Sequence, residues 1–208
     1  MNGTLVKNQL IFEFAAGSLG LSKSLFTATY LYLNSKASKI NDTFETILSE
    51  NLLKSDGVPL SNLKYLDCMN KSETISTKER SSNPITAIVG PYNDLDWKQV
   101  YKGFREYSPN IKDKDELKLI KMDPGASVPL HSHDGKEFIL VLEGSFCDEY
   151  GEYKTGDIQI NDQKIKHNPI ANKDTGCICL TITEKDVIFF GRFGSFLNLF
   201  TFIRSFFK

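Results

Sequence analysis

The chain has 208 residues, with 25 Lys+Arg against 26 Asp+Glu and a net charge of −1. That balance argues against a protein built to coat nucleic acid directly, because neutralising phosphates calls for a basic surface. With 40% hydrophobic and 25% charged residues the chain can bury a core and is not broadly disordered, and its length fits one large domain or two small ones.

In chain order, the first 70 residues predict helices. Leu5, Val6, Leu10, Phe12 and Ala16 lie near helical spacing, and Gly17 can close that helix. A second segment follows Ser22, with Leu25, Phe26, Ala28, Leu31 and Leu33 as its apolar positions. A third runs from Asn41, read as an N-cap, through Phe44, Ile47, Leu48, Leu52 and Leu53 to Gly57, and Ser61 opens a fourth carrying Leu63, Leu66 and Met69. Short connections between them predict a small antiparallel bundle. Residues 71–92 change character. Lys71 to Asn83 is nearly all Ser, Thr, Lys, Glu, Arg and Asn, which cannot offset the entropy of ordering, and the segment reads as a polar linker.

Residues 93–208 read as short strands followed by an apolar tail. Glu116 to Met122 and Cys177 to Thr183 alternate, Phe138 to Glu143 is a continuous apolar run, and Asp157 to Ile160 and Asp186 to Phe190 are shorter strands. Turn residues recur every 8–12 positions, the spacing of a β-sandwich or barrel. Eight of the fifteen phenylalanines fall between Phe189 and Phe207. This tail reads as a cover over the barrel or a dimer contact; the alternative, a membrane-surface helix, has only a thin basic face. No apolar run reaches the roughly 18 residues of a membrane span, and no signal-peptide pattern stands at the N-terminus. The four scattered cysteines, Cys68, Cys147, Cys177 and Cys179, do not make a disulfide framework. Together these features predict a cytoplasmic protein with free thiols.

All three histidines lie between residues 131 and 167, in a segment that reads G-x5-H-x-H-x3-E-x6-G from Gly125 to Gly144. On a strand His131 and His133 share a face. Glu137 follows the Asp134-Gly135 turn and can fold back to the same pocket, and His167 is expected to arrive from a later strand. Three imidazoles and a carboxylate suit one divalent metal ion, zinc first, with iron, manganese, nickel or copper also chemically suitable. The alternative is that the histidines face solvent or serve only as hydrogen-bonding groups of the barrel. Cys177 and Cys179 sit two apart on one strand, as packing residues or as candidate redox thiols beside the metal.

Gly125 to Gly144 resembles the first cupin motif throughout its skeleton. The second motif is matched at Gly156 and His167, while Asp162, Lys164 and Ala171 stand where it has proline, glycine and asparagine. Further segments, including Phe14-Ala15-Ala16-Gly17-Ser18-Leu19, Tyr153-Lys154-Thr155-Gly156-Asp157, His167-Asn168-Pro169-Ile170-Ala171 and Cys177-Ile178-Cys179-Leu180, resemble the ChrR-type anti-sigma factors over most of the chain. The resemblance implies an α+β two-domain protein. Residues 1–70 would form a helical bundle that clamps an extracytoplasmic-function-type sigma factor. Residues 93–208 would form a metal-binding cupin β-barrel that senses oxidative stress.

One departure stands out. The family holds a zinc in its N-terminal domain through an early histidine and an H-x3-C-x2-C set. Here the early position falls near Leu5, and the later ones are Tyr30, Asn34 and Ala37. Apolar packing must therefore hold this bundle, with Tyr30, Tyr32 and nearby leucines filling the vacated space. The competing function is a metal-dependent cupin enzyme, a dioxygenase or isomerase on a small molecule. A closed four-ligand shell, which leaves no open position for substrate, favours the regulator.

Overall fold

The computed structural model describes residues 3–54 and 82–190. The helix expected after Ser61, Cys68 with it, residues 71–81 and the tail from 191 onward lie outside the described residues.

Three helices come first: α1 (Gly3–Ala15), α2 (Leu21–Leu33) and α3 (Ser35–Lys54). In α1 Leu10 and Ile11 are buried, with Val6 and Phe14 packed beside them, while Leu5 and Phe12 stay exposed, so the helix is apolar on more than its core-facing side. Helix α2 is covered nearly all round, burying Ser22, Leu25, Phe26, Thr27, Thr29, Tyr30 and Leu31. Two of its buried hydroxyls are satisfied within the helix, Thr27 Oγ1 donating to the Lys23 carbonyl at 2.7 Å and Thr29 Oγ1 to the Leu25 carbonyl at 2.8 Å, while Ser22 Oγ donates to the Asp115 carbonyl at 3.1 Å.

Two helix starts differ from the sequence reading, each for a local reason. Helix α2 begins at Leu21 and is capped from outside. Its N-cap, Gly20, has no side chain, and Asp113 Oδ2 accepts the Ser22 N–H at 2.7 Å. Helix α3 begins at Ser35 rather than Asn41, because Asn34 Oδ1 accepts the Ala37 N–H at 3.1 Å. Within the segment read as linker, Pro84–Val89 forms a further helix, α4. The Asn83 side chain caps it by accepting the Ile85 N–H at 3.2 Å, and Gly90, at φ 85°, ends it. Ile85 is fully buried, and α4 lies against α2.

Ten strands follow: β1 (Lys98–Tyr101), β2 (Phe104–Tyr107), β3 (Glu116–Met122), β4 (His131–His133), β5 (Glu137–Asp148), β6 (Gly151–Lys154), β7 (Ile158–Asn161), β8 (Ile170–Ala171), β9 (Cys177–Thr183) and β10 (Val187–Phe189). The main sheet runs β1-β2-β3-β9-β5-β6, with β7 and β8 also pairing β5. Strands β4 and β10 form a separate pair that sets Val187 opposite His133 and Phe189 opposite His131. All pairings are antiparallel.

The sheet has two apolar faces. One carries Leu117, Leu119, Phe138, Leu140, Ile178, Leu180 and Ile182, and these share a single core with Leu10, Ile11, Phe26 and Tyr30 of the helices. The other carries Met122, Ile139, Val141, Phe146, Cys177 and Cys179 and lines the barrel interior. Side chains alternate across a strand, so β9 sends its even-numbered residues to the helices and its odd-numbered ones inward. The helical layer and the barrel therefore meet through a continuous apolar interface, with the Phe26 and Phe138 rings edge to face at 6.1 Å. Among the described residues no helix is long and apolar enough to cross a membrane.

Candidate metal centre

Short β4 places His131 and His133, and the turn after it returns the chain so that β5 opens on Glu137. His167 sits on no strand. It is held by a two-way backbone bridge in which His131 N–H donates to the His167 carbonyl at 3.1 Å and His167 N–H to the His131 carbonyl at 3.0 Å. The chain from β7 thus delivers the third imidazole without the later strand that the sequence suggested. Gly144 closes the motif at φ 72°, where an added Cβ would collide with the Gly176 carbonyl.

The structure brings all four residues together. His131, His133, Glu137 and His167 are buried, and one ligand atom from each lies within 4.8 Å of all the others. Glu137 Oε2 approaches His133 Nε2 at 2.9 Å and His167 Nε2 at 3.5 Å. Ligands about 2.1 Å from a common ion stand at such separations. The 2.9 Å approach is an ion-pair distance without hydrogen-bond alignment, and both ring nitrogens of His133 lack a hydrogen-bond partner. Buried nitrogens are rarely left so, and a cation would satisfy one of them. The donor set therefore fits a metal ion.

Outer partners orient the ring nitrogens. His131 Nδ1 lies 2.9 Å from the Pro129 carbonyl, which assigns the proton to Nδ1 and leaves Nε2 as the donor. His167 Nδ1 lies 3.1 Å from Asp148 Oδ2, with the same consequence. Asp148 is in turn held by Gln159 Nε2 at 2.6 Å and by the Tyr150 N–H at 2.8 Å. Asn161 Nδ2 donates to Glu137 Oε2 at 3.0 Å. Sequence spacing did not reveal Asp148, Gln159 and Asn161, because their proximity depends on the strand register.

Burial, outweighing the attraction of Glu137, lowers the pKa of His131 to about 4, so that ring is neutral and ready to ligate. Burial also depresses His167, but its bonds to Asp148 and Glu137 prevail and raise it to about 9. Burial would raise Glu137, yet its contacts with His133 and His167 hold it well below the ordinary carboxylate value.

Cys177 and Cys179 are buried side by side, with their sulfurs 4.0 Å apart. The contact with Cys177 and burial push the Cys179 thiol up, which suits packing more than thiolate chemistry. Cys147 points outward and is exposed. The cluster is not closed on every side. A cavity of about 480 Å³ inside the barrel is lined by His131, Glu137 and His167, so the expectation of a shell without an open side does not hold.

A double-faced sheet with a helical layer outside and a three-histidine, one-glutamate cluster inside defines a cupin barrel fused to a helical domain. The ChrR cupin-like domain family matches residues 87–185. The anti-sigma-E factor ChrR of Cereibacter sphaeroides is 30% identical over 201 residues, which span 92% of each chain. The crystal structure of Rhodobacter sphaeroides SigE in complex with the anti-sigma ChrR superposes with a TM-score of 0.73 at 29% identity, covering 85% of this chain and 96% of that one. The chain belongs to the ChrR family of cupin-containing anti-sigma factors.

Within that family the replaced positions acquire a structural account. Tyr30 is buried in the shared core, and Ala37 is buried at 2% exposure. Asn34 caps α3 and also donates through Nδ2 to the Gly156 carbonyl at 3.0 Å, tying the helices to the β6–β7 turn. Tyr32, expected to help fill the space, is exposed at 36%.

Proposed function

We propose that this chain is a cytoplasmic anti-sigma factor that binds an extracytoplasmic-function-type sigma factor through its N-terminal helices and responds to oxidative stress through its cupin barrel. The observation that carries the reading is the relation to ChrR along nearly the whole chain, helices and barrel together. An enzyme built on the barrel alone would not need the helical layer.

The helices supply a surface for such a partner. Leu5 and Phe12 lie two turns apart on α1 and are exposed at 67% and 42%, and Ile47 on α3 is exposed at 47%. Phe44 joins α3 to this face, its ring edge to face with Phe12 at 5.4 Å. Exposed apolar side chains grouped on one side mark an interaction site.

In this reading His131, His133, Glu137 and His167 hold one divalent ion, zinc first by donor set. The ion would tie β4, β5 and the β7–β8 connection together, and its loss on oxidation would loosen the barrel beneath the helices. Cys177 and Cys179 serve as packing residues beside it.

Co-expression with the extracytoplasmic-function-type sigma factors of the same genome tests the partner, with metal analysis alongside. The wild-type chain should co-purify with the sigma factor and carry about one ion. Phe12→Glu with Ile47→Glu should lose the sigma factor and keep the ion, and His131→Ala with His133→Ala should lose the ion. A sigma factor indifferent to the wild-type chain refutes the regulator, and unchanged metal in the histidine variant refutes the ligand set.

A further inference from the structure

Asn34 is the single residue between α2 and α3. Its backbone is extended, at φ −123° and ψ 101°, which breaks the helical path and lets the two helices meet at an angle. Its N–H donates to the Tyr30 carbonyl at 2.9 Å and closes α2. Its carbonyl accepts the Ser38 N–H at 3.0 Å and its Oδ1 accepts the Ala37 N–H at 3.1 Å, and these two bonds open α3. The side-chain Nδ2 alone leaves the helices, donating to the Gly156 carbonyl of the barrel at 3.0 Å.

The barrel side fits this contact closely. Gly156, at φ 86°, lies so near the end of α2 that an added Cβ would stand 3.0 Å from the Leu33 carbonyl. Glycine takes both that backbone and that approach without strain. The turn is also fixed to β5. The Gly156 N–H donates to the Val141 carbonyl at 2.9 Å, and the Val141 N–H donates to the Asp157 carbonyl at 3.1 Å. Val141 is fully buried in the barrel interior. The seat under Asn34 therefore belongs to the body of the sheet.

Side-chain chemistry separates this contact from capping. Asp, Ser and Thr also cap helices, but only the amide of Asn has its acceptor and its donor on different atoms. Here the acceptor serves α3 and the donor serves the barrel.

Helix α3 leaves this point and carries Phe44 and Ile47, ten and thirteen residues further on. At about 1.5 Å per residue Ile47 lies about 20 Å along the helix, so a tilt of about 10° at Asn34 displaces it by roughly 3 Å. Interface cores pack as tightly as protein interiors, and a displacement of that size exceeds what such packing tolerates. The Phe12–Phe44 contact holds α3 to α1, and the Asn34 amide holds it to the barrel. We propose that Asn34 is a positioning residue for partner binding: its amide, seated on Gly156, sets the direction in which α3 leaves the barrel and hence where Phe44 and Ile47 meet the sigma factor. The inference rests on the sigma-binding reading above and names the contact that aims that surface.

The test measures the affinity of full-length variants for the sigma factor captured by the wild-type chain in co-expression, at a temperature where circular dichroism shows each variant fully folded. Asn34→Asp keeps an acceptor for the Ala37 N–H, removes the donor to Gly156, and should bind about tenfold more weakly or worse. Gly156→Ala presses on the Leu33 carbonyl from the barrel side and should weaken binding by a similar factor. The double variant should lose no more than either alone, because both changes break one contact. Ile120→Val, which trims the barrel interior, reports the effect of lost stability by itself and should bind as the wild type does. Wild-type affinity in Asn34→Asp overturns the inference, and so does an equal loss in Ile120→Val. Additive losses in the double variant overturn the shared contact. If Gly156→Ala fails to fold, Asn34→Asp against Ile120→Val decides alone. A wild-type chain that captures no sigma factor overturns the sigma-binding reading, and this inference with it.

Discussion

Phe26→Ala probes whether the helices and the barrel are one cooperative structure. Phe26 is fully buried on α2, and its ring meets Phe138 of β5 within the shared core. Truncating a phenylalanine in such a place costs about 3–5 kcal/mol, the lost transfer energy plus a cavity that the neighbours only partly close. For a chain of this size each kcal/mol moves the midpoint by about 2–4 °C, so the variant should melt roughly 6–20 °C lower. The assay is thermal unfolding followed both by far-ultraviolet circular dichroism, which sees the helices, and by tryptophan fluorescence. Trp97 reports from the barrel side, its ring edge to face with Tyr107 of β2 at 6.4 Å. Both signals should shift together in a single transition. If the helical signal melts early while the Trp97 signal keeps its wild-type midpoint, the two layers are independent and the shared-core argument fails.

Two further outcomes follow from the polar contacts. Asp148→Asn keeps the shape but removes the charge that holds His167 Nδ1–H; metal affinity should fall about 10–100-fold in a competition titration, as for other outer partners of metal-bound histidine. Lys23 bridges Asp115 at 3.2 Å and Glu184 at 2.7 Å between α2 and the barrel, and Lys23→Met should cost about 1–3 kcal/mol at neutral pH by leaving the buried Asp115 carboxylate unpaired. Burial would raise Glu184, but the Lys23 contact prevails and lowers it below 4.5. A lowered carboxylate stabilises the fold above its unfolded pKa, and that contribution disappears as pH falls through the folded value. Wild-type stability should therefore drop more steeply below pH 4.5 than that of Lys23→Met, and parallel acid profiles in urea titrations would disprove the bridge's role.

The cluster was largely legible because its parts are local. His131 and His133 share a strand face by period alone, and Glu137 is one turn away. His167 was found by spacing, but its means of support was not, because a backbone bridge to His131 leaves no mark on side-chain pattern. Asp148 and Asn161 were invisible for a related reason: polar residues on β5 and β7 become partners only once register is fixed. The start of α2 depends on Asp113, 91 residues away, and no local signal could supply it. Helix α4 is a different case. Asn83, Pro84 and Gly90 form a cap, a first-turn proline and a stop around Ile85, and the Ser- and Lys-rich stretch before them obscured that signal. The burial of both faces of β9 was also missed, because alternation of Cys, Thr and Ile reads as one wet face until a helix covers the other.

That double burial bears on how one chain can join sensing to partner binding. Strand β5 carries Glu137 inward to the cluster and, one residue later, Phe138 outward onto Phe26. Just before them, the Lys136 N–H donates to Glu184 Oε2 at 3.3 Å, and Glu184 Oε1 accepts from Lys23 of α2 at 2.7 Å. Glu137 and its two neighbours point to opposite sides of the strand. Coupling between distant sites requires an element with two arrangements that both sites bias, and the first residues of β5 touch the cluster on one side and α2 on the other. The cluster and the helical core are thus one peptide unit apart on this strand. The two helix residues on the far side, Phe26 and Lys23, are those whose replacement the unfolding measurements address.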